Sequence, residues 1–129
     1  MSDGEAALQR LRTALSARQA ERDWQRRTRW LRARVLIGAS AEHLLLQFDR
    51  GQMHLDESTG PMLTWDFALR ADASTWMRHW EAPPAPGWHD LLALAKRDAL
   101  RLEGDLHPFM THLQFFKDLL AAPRAATRQ

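Results

Sequence analysis

The chain has 129 residues, no cysteine and a formal net charge of +2, and 45% of its residues are hydrophobic. This length favours one domain with its own core, and the lack of cysteine excludes disulfides, thiolate metal sites and cysteine nucleophiles. No apolar run reaches the roughly 18 residues that a membrane-spanning helix needs, and residues 1–12 lack the apolar stretch of a secretory signal. We therefore expect a cytoplasmic protein.

The N-terminal part of the chain predicts a basic helix. Leu8, Leu11 and Leu15 recur at helical spacing and predict a helix over about residues 4–25, with Ser2 or Asp3 as its cap. Residues 1–34 contain nine Arg against four carboxylates, an excess of five positive charges, whereas the remaining residues are mildly acidic. We expect residues 1–27 to form a basic N-terminal helix packed on the domain, residues 28–122 to form the domain, and residues 123–129 to be a frayed tail.

The hydrophobic period changes to two after Arg29, which predicts β-strands. Alternation over residues 31–37 indicates a strand with one buried face and with Trp30 on the polar face, followed by a turn at residues 38–40. Residues 43–57 predict a β-hairpin, because Gly51 can adopt a positive φ at its turn. Residues 58–61 predict a loop, and alternation of Leu63, Trp65, Phe67 and Leu69 predicts the next strand.

Short helices dominate the second half of the chain. Residues 72–80 predict a helix with Asp72 or Ser74 as its cap, residues 82–87 a proline-rich connector, and residues 88–95 a second short helix. A last strand around residues 100–102 precedes a helix over about residues 106–121. This order predicts an α+β fold, in which helices cover one face of a five-stranded, mainly antiparallel (mixed) sheet.

Four of these stretches carry a family resemblance. They are the hairpin 44–55 with Phe48-Asp49-Arg50-Gly51-Gln52 at its turn, the strand 63–71, the helix 72–80, and Leu100-Arg101-Leu102-Glu103-Gly104-Asp105-Leu106. In this order they resemble the sterol carrier protein 2 family over about residues 28–121, in its small, bacterial, stand-alone form. The resemblance implies a lipid-binding domain with an apolar tunnel for sterols, fatty acyl chains or isoprenoid lipids. For some bacterial members it implies an accessory role in ubiquinone synthesis.

The predicted ligand-binding residues come from the sheet and from the helices that face it. An apolar ligand needs only a dry groove, and each buried CH₂ contributes about 0.8 kcal/mol. The same side chains could instead close-pack and leave no cavity, so both interpretations stay open. The candidates are Trp65, Phe67, Leu69, Trp76, Trp80, Leu91, Leu102, Met110, Leu113 and Phe116.

No residue pattern points to catalysis. The six His are scattered, and the nearest pair, His107 and His112, has a spacing that places the two on different helix faces. Asp66 and Glu103 are expected to pair with Arg70, Arg101 or water. We therefore expect no catalytic residues, no metal, no cofactor and no enzymatic activity.

The Arg-rich segment offers a competing function. Trp24, Arg26, Arg27, Arg29 and Trp30 are candidates for docking on an anionic membrane surface or on a partner enzyme. The same segment could bind nucleic acid, which we disfavour, or could simply be a solvated helix face. We expect a non-catalytic carrier of a fatty acyl, sterol or isoprenoid/quinone-type lipid. The alternatives are an interaction module and an accessory factor of a lipid-modifying enzyme, and the oligomeric state stays open.

Overall fold

Helices cover one face of a mixed five-stranded sheet in the computed structural model, which describes residues 1–56 and 64–127. The strand order is β3-β2-β1-β4-β5, and only β1 and β4 pair in parallel among the described strands. The predicted α+β class is thereby confirmed. The elements are α1 (Asp3–Ser16), α2 (Arg22–Arg27), β1 (Arg32–Ala39), β2 (Glu42–Asp49), β3 (Gln52–Asp56), β4 (Phe67–Ala71), α3 (Ala73–His79), α4 (Leu91–Lys96), β5 (Arg101–Gly104), α5 (His107–Thr111), α6 (Leu113–Leu120) and α7 (Ala122–Thr127).

The β1–β2–β3 meander follows the sequence pattern closely. Alternate residues of β1, including Val35 and Ile37, are buried on the face that the helices cover. Arg50 and Gly51 both have positive φ, at 51° and 84°, as a two-residue hairpin turn requires. The turn after β1 lies at Ser40 rather than at residues 38–40, because Gly38 and Ala39 belong to the strand. Residue 57, the predicted loop 58–61 and Leu63 lie outside the described residues.

The predicted single helix over residues 4–25 is wrong, because the chain forms α1 and α2 with a turn between them. The Ser2 cap is confirmed, since its hydroxyl accepts a hydrogen bond of 3.1 Å from the Glu5 amide. In the turn, the Gln19 side chain donates a 2.6 Å bond to the Met53 carbonyl, which ties the segment to β3. The change of direction brings Trp24 into the core.

The C-terminal helix is also interrupted. It breaks at His112 into α5 and α6, so that Phe109 precedes the break and Phe116 follows it, and both are fully buried. The predicted frayed tail is corrected in part, because residues 122–127 form α7 and Ala122 is buried. α7 packs against α1, which closes the helical layer.

β4 and α4 begin later than the alternation and spacing indicated. Asp66 accepts a 2.7 Å bond from the Arg34 amide through its side chain, and its own amide donates a 2.8 Å bond to the Arg34 carbonyl. These bonds hold a bend at Asp66, and β4 starts directly after it at Phe67. The second short helix begins at Leu91 instead of residue 88.

Candidate apolar ligand site

The space between the sheet and α5–α6 is occupied by aromatic rings. Phe67 of β4 lies 5.3 Å from Phe116 of α6 and 5.8 Å from Phe109 of α5, measured between ring centroids. Phe48 of β2 contacts Phe115 and Phe116 at 5.8 and 5.7 Å. These distances are those of favourable edge-on and tilted aromatic pairs. Five Phe residues therefore form a continuous layer across the inner face of the sheet.

Two indoles close the interior on the α3 side. Trp76 and Trp80 stack with their rings 5.8 Å apart, and both are fully buried. Each has its polar atom satisfied, since Trp76 Nε1 donates to the Gly38 carbonyl at 2.8 Å and Trp80 Nε1 donates to the Leu120 carbonyl at 2.7 Å. Because these bonds satisfy the polar atoms, the rest of each indole adds only apolar surface to the interior.

Most of the predicted ligand-binding residues lie together in this interior. The structure buries six of the ten in the main core: Phe67, Leu69, Trp76, Trp80, Leu91 and Phe116. Leu102 and Leu113 are half-buried and pack against that core. Their role as ligand contacts stays a prediction.

The expected inward orientation of Trp65 and Met110 is wrong. Trp65 packs on the opposite face of the sheet, against Leu36, Leu45 and Ala68, because the bend at Asp66 ends the alternation that linked it to Phe67. Met110 is 52% exposed. The short helix α5 ends at Thr111, and Phe109 occupies the side of α5 that faces the core.

Phe48 and Phe115 also belong to the site, although they were not among the predicted ligand-binding residues. A continuous helix over residues 106–121 would place Phe109, Leu113 and Phe116 on a single stripe and Phe115 beside it. Once a helix starts at Leu113, residues 115, 116, 119 and 120 form their own buried stripe. Phe48 lies in the predicted hairpin, and its alternation with Leu46 is the signal that could have identified it as an inward residue.

Among the described residues, little empty space is found at the edge of the ring layer next to α2. The cavity beside Trp24, Phe48 and Phe115 has a volume of about 10 Å³, roughly the room of one water molecule. The tunnel that the resemblance implies is therefore filled by side chains at this place. An acyl-sized ligand would need these rings to move apart.

Larger grooves lie along β5 and on the outer face of the sheet. A groove of about 550 Å³ is lined by Ala95, Asp98, Leu100, Arg101 and Leu102. Its neighbour, of about 350 Å³, has a polar lining that includes Ser40, Arg70 and Asp72. Neither groove reaches the ring layer through its lining residues.

One titratable side chain is buried beside the indoles. His79 is 1% exposed, and burial lowers its pKa from 6.5 to about 4, against the opposing effect of its bond to the Trp88 carbonyl. The His79 Nδ1 atom lies 2.7 Å from that carbonyl oxygen, and its Nε2 atom is buried without a hydrogen-bond partner among the described residues. His79 is thus a neutral side chain at neutral pH, compatible with an apolar interior.

The carboxylates near the sheet and helices are engaged in pairs. Glu103 lies 3.2 Å from Arg70 and 3.5 Å from Arg101, as expected. Burial raises the pKa of Asp90, but the hydrogen bond and charge of Lys117, 3.0 Å away, outweigh burial and lower it below its ordinary value. Within residues 1–56 and 64–127, no three His, Asp or Glu side chains are placed to hold a metal ion.

The predicted docking residues separate into two groups. Trp24 is only 5% exposed and packs 5.4 Å from Phe115, so its expected role at the surface is wrong. Arg27 is half-buried, and it pairs with Asp118 of α6 at 2.8 Å. Arg26, Arg29 and Trp30 are exposed. No helix of the described residues is long and apolar enough to cross a membrane.

Comparison with known proteins identifies the fold. The sequence matches no protein-family model and no curated protein. The crystal structure of sterol carrier protein 2 superposes with a TM-score of 0.63 at 15% identity, covering 89% of this chain and 93% of that one. The UbiJ-SCP2 ubiquinone synthesis protein gives 0.54 at 18% identity, with 83% and 81% covered. A Thermus thermophilus protein described as a candidate sterol carrier protein gives 0.53 at 15% identity, with 81% and 79% covered. The chain therefore has the sterol carrier protein 2 fold.

Proposed function

We propose that this chain is a non-enzymatic lipid-binding protein that holds a fatty acyl, sterol or isoprenoid chain between the sheet and helices α5 and α6. The observation that carries the proposal is the layer of aromatic and aliphatic side chains at this place in a sterol carrier protein 2 fold. Such a surface favours a ligand without polar recognition groups. Asp66 accepts a hydrogen bond from the Arg34 amide, and Glu103 forms ion pairs with Arg70 and Arg101. Because both carboxylates already have these partners, we assign neither of them a role in acid–base catalysis.

The ligand would enter beside the break at His112. We expect α5 to be the element that moves, because it has only five residues and ends at the break, and Phe109 would leave the ring layer with it. Around it, Leu102, Leu106 and Leu113 are half-buried against the core and Met110 is half exposed. A chain of about sixteen carbons gains on the order of 12 kcal/mol on burial, from which the costs of association and of parting the rings are subtracted.

A second role, presentation of the ligand to a partner enzyme, is favoured by one observation. The UbiJ-SCP2 protein, whose name places it in ubiquinone synthesis, shares the fold over 83% of this chain. An accessory factor needs the same apolar interior as a carrier. Repeated recovery of one lipid-modifying enzyme with the purified protein would favour this role over free transport.

Native mass spectrometry of the freshly purified protein, followed by organic extraction, tests the proposal. A reproducible adduct of acyl or isoprenoid mass is the expected result. A clean apo mass, with no later uptake of fatty acids, sterols or quinones, would show that the rings simply fill the core.

A pair of leucine variants locates the site. Leu113 and Leu92 are both half-buried and pack against the core, but Leu92 lies on α4, which contributes no ring to the layer. We expect Leu113→Glu to weaken binding of a fluorescent fatty acid at least tenfold, and Leu92→Glu to leave it within about twofold. Equal losses in the two variants would place the ligand elsewhere.

A further inference from the structure

We infer that the surface formed by Arg26, Arg29, Trp30, Arg32 and Arg50, here called the Trp30 surface, docks this protein on an anionic lipid bilayer. The inference goes beyond ligand binding, because it assigns a partner to a part of the molecule that the ring layer does not include. Position, exposure, charge and the neighbourhood of the apolar interior each support it.

The members of the Trp30 surface meet at one end of the molecule. The β2–β3 turn abuts α2 so closely that a Cβ atom at Gly51 would lie 2.9 Å from the Gln25 carbonyl oxygen. Across the sheet, Arg32 is the register partner of Asp49, the residue before that turn. α2, the turn that follows it and the β2–β3 turn therefore form one continuous surface.

This surface is exposed and basic. The side chains of Arg26, Arg32 and Arg50 are 72%, 76% and 84% exposed, and Trp30 is 80% exposed. Residues 22–34 contain six Arg and one carboxylate. Asp23 pairs with Arg26, and Asp49 lies 3.4 Å from Arg32 and 4.0 Å from Arg50. The four Arg of the surface still exceed these two carboxylates, and this excess of positive charge complements anionic headgroups.

The aromatic content favours a bilayer over a nucleic acid. Single-stranded nucleic acid is bound by several rings on which successive bases stack. Here Trp24 is buried, and one face of Trp30 is covered by the Arg29 guanidinium, 5.4 Å from the ring centroid. One amphipathic indole beside guanidinium groups suits the headgroup level of a membrane, where the indole anchors and the guanidinium groups bind phosphates.

The Trp30 surface also adjoins the apolar interior. Trp24, on the same helix as Arg26, reaches Phe115 in the ring layer, and Gln25 and Gly51 line the small cavity beside it. A bilayer on this surface would lie one side chain away from the proposed ligand site. The link to the ligand site rests on the proposed function, whereas docking itself does not.

Vesicle sedimentation tests docking, using the full chain with no ligand added. We expect binding to phosphatidylcholine vesicles that contain phosphatidylglycerol, weaker binding at high salt, and little binding to phosphatidylcholine alone. Arg29→Gln with Arg50→Gln should weaken it about 25-fold, from roughly fivefold for each Arg. The double variant Arg97→Gln with Arg101→Gln removes the same charge near β5 and should stay within about twofold. Trp30→Ala should weaken binding several-fold without a change in circular dichroism.

Three results would overturn the inference: equal binding to neutral vesicles, equal losses in the two double variants, or tighter salt-sensitive binding to DNA or RNA than to anionic vesicles. The two proposals fail separately. A protein that docks but takes up no fatty acid overturns the carrier function alone. A protein that takes up fatty acid but ignores anionic vesicles overturns docking alone.

Discussion

The indole Nε1 of Trp80 donates a hydrogen bond of 2.7 Å to the backbone carbonyl of Leu120. Trp80 directly follows α3 and Leu120 ends α6, so this bond joins the two helices inside the core. A carbonyl in the last turn of a helix has no partner within the helix and needs one from elsewhere when it is buried. The indole thus serves both as apolar wall and as helix cap.

Replacing Trp80 by Phe tests this bond. We expect Trp80→Phe to lower the free energy of unfolding by about 1–3 kcal/mol, because the buried Leu120 carbonyl loses its donor and the smaller ring leaves a gap. Urea unfolding measures the change. Trp30→Phe makes the same replacement at an exposed position and should change stability by no more than about 0.5 kcal/mol. A similar loss in both variants would argue against the role of the bond.

The ion pair of Arg27 with Asp118 should contribute more to stability than the exposed ion pair of Arg26 with Asp23. Arg27 lies 2.8 Å from Asp118 and its guanidinium lies 5.4 Å from the Phe115 centroid, so the pair connects α2 to α6 in a half-buried position. A double-mutant cycle with Arg27→Gln and Asp118→Asn should give a coupling of about 1 kcal/mol. The cycle of Arg26→Gln with Asp23→Asn, an exposed pair, should give no more than about 0.5 kcal/mol. Coupling energies in the reverse order would contradict this assignment.

Buried His79 should make stability depend on pH. Its folded pKa of about 4 lies below its ordinary 6.5, so the unfolded chain binds the proton more readily. The stability that the fold gains from keeping His79 neutral is fully present above pH 6.5 and is lost as the pH falls toward 4. We expect a loss of about 2 kcal/mol between about pH 7 and pH 5, measured by urea unfolding.

Two Gln variants separate His79 from the other titrating groups. His79→Gln should flatten the pH dependence in this window, whatever its cost at neutral pH. His54→Gln replaces an exposed His on β3 and should leave the slope as in the unmodified protein. An unchanged slope in His79→Gln would assign the effect to other groups.

Two glycines with nearly the same positive φ should respond differently to a side chain. Gly51 and Gly87 have φ of 84° and 83°, so each Ala variant carries the strain of the left-handed region, about 1 kcal/mol or more. At Gly51 the new Cβ would also lie 2.9 Å from the Gln25 carbonyl oxygen, whereas at Gly87 it meets the flexible Arg97 side chain at 3.4 Å. Gly51→Ala should therefore destabilise more than Gly87→Ala. Equal unfolding midpoints would show that α2 shifts freely away from the turn.

The strands were predictable because their signal is local. The alternation in β1 and the Arg50-Gly51 turn each lie within a few residues, and both features appear in the structure. The order of elements was enough to identify the fold. The parallel pairing of β1 with β4 was not predictable in this way, since its register depends on contacts far apart in the sequence.

The breaks in the helices and the state of the site were harder to predict. Nothing between Ser16 and Arg22 is a strong helix breaker, and the turn there is held by the bond from Gln19 to Met53, a tertiary contact. The same turn decides whether Trp24 lies in the core or on the surface. A hydrophobic pattern identifies which side chains face inward. The same residues can either pack closely or line an open tunnel, so the pattern does not distinguish these two states. The small volume of the cavity beside Phe115 depends on how the neighbouring side chains fit together, and the composition of the sequence does not give that fit.

The central position of β1 has a consequence for the kinetics of amide exchange. β1 is bonded to β2 on one side and to β4 on the other, whereas β3 and β5 each have one bonded neighbour among the described strands. Backbone amides of Val35, Leu36 and Ile37 should therefore exchange with solvent deuterium only when the whole sheet opens, at a rate that reports the global unfolding equilibrium. Amides of β5, which is four residues long, should exchange by local fraying, so the protein should show a gradient of protection that falls from the middle strand toward both edges.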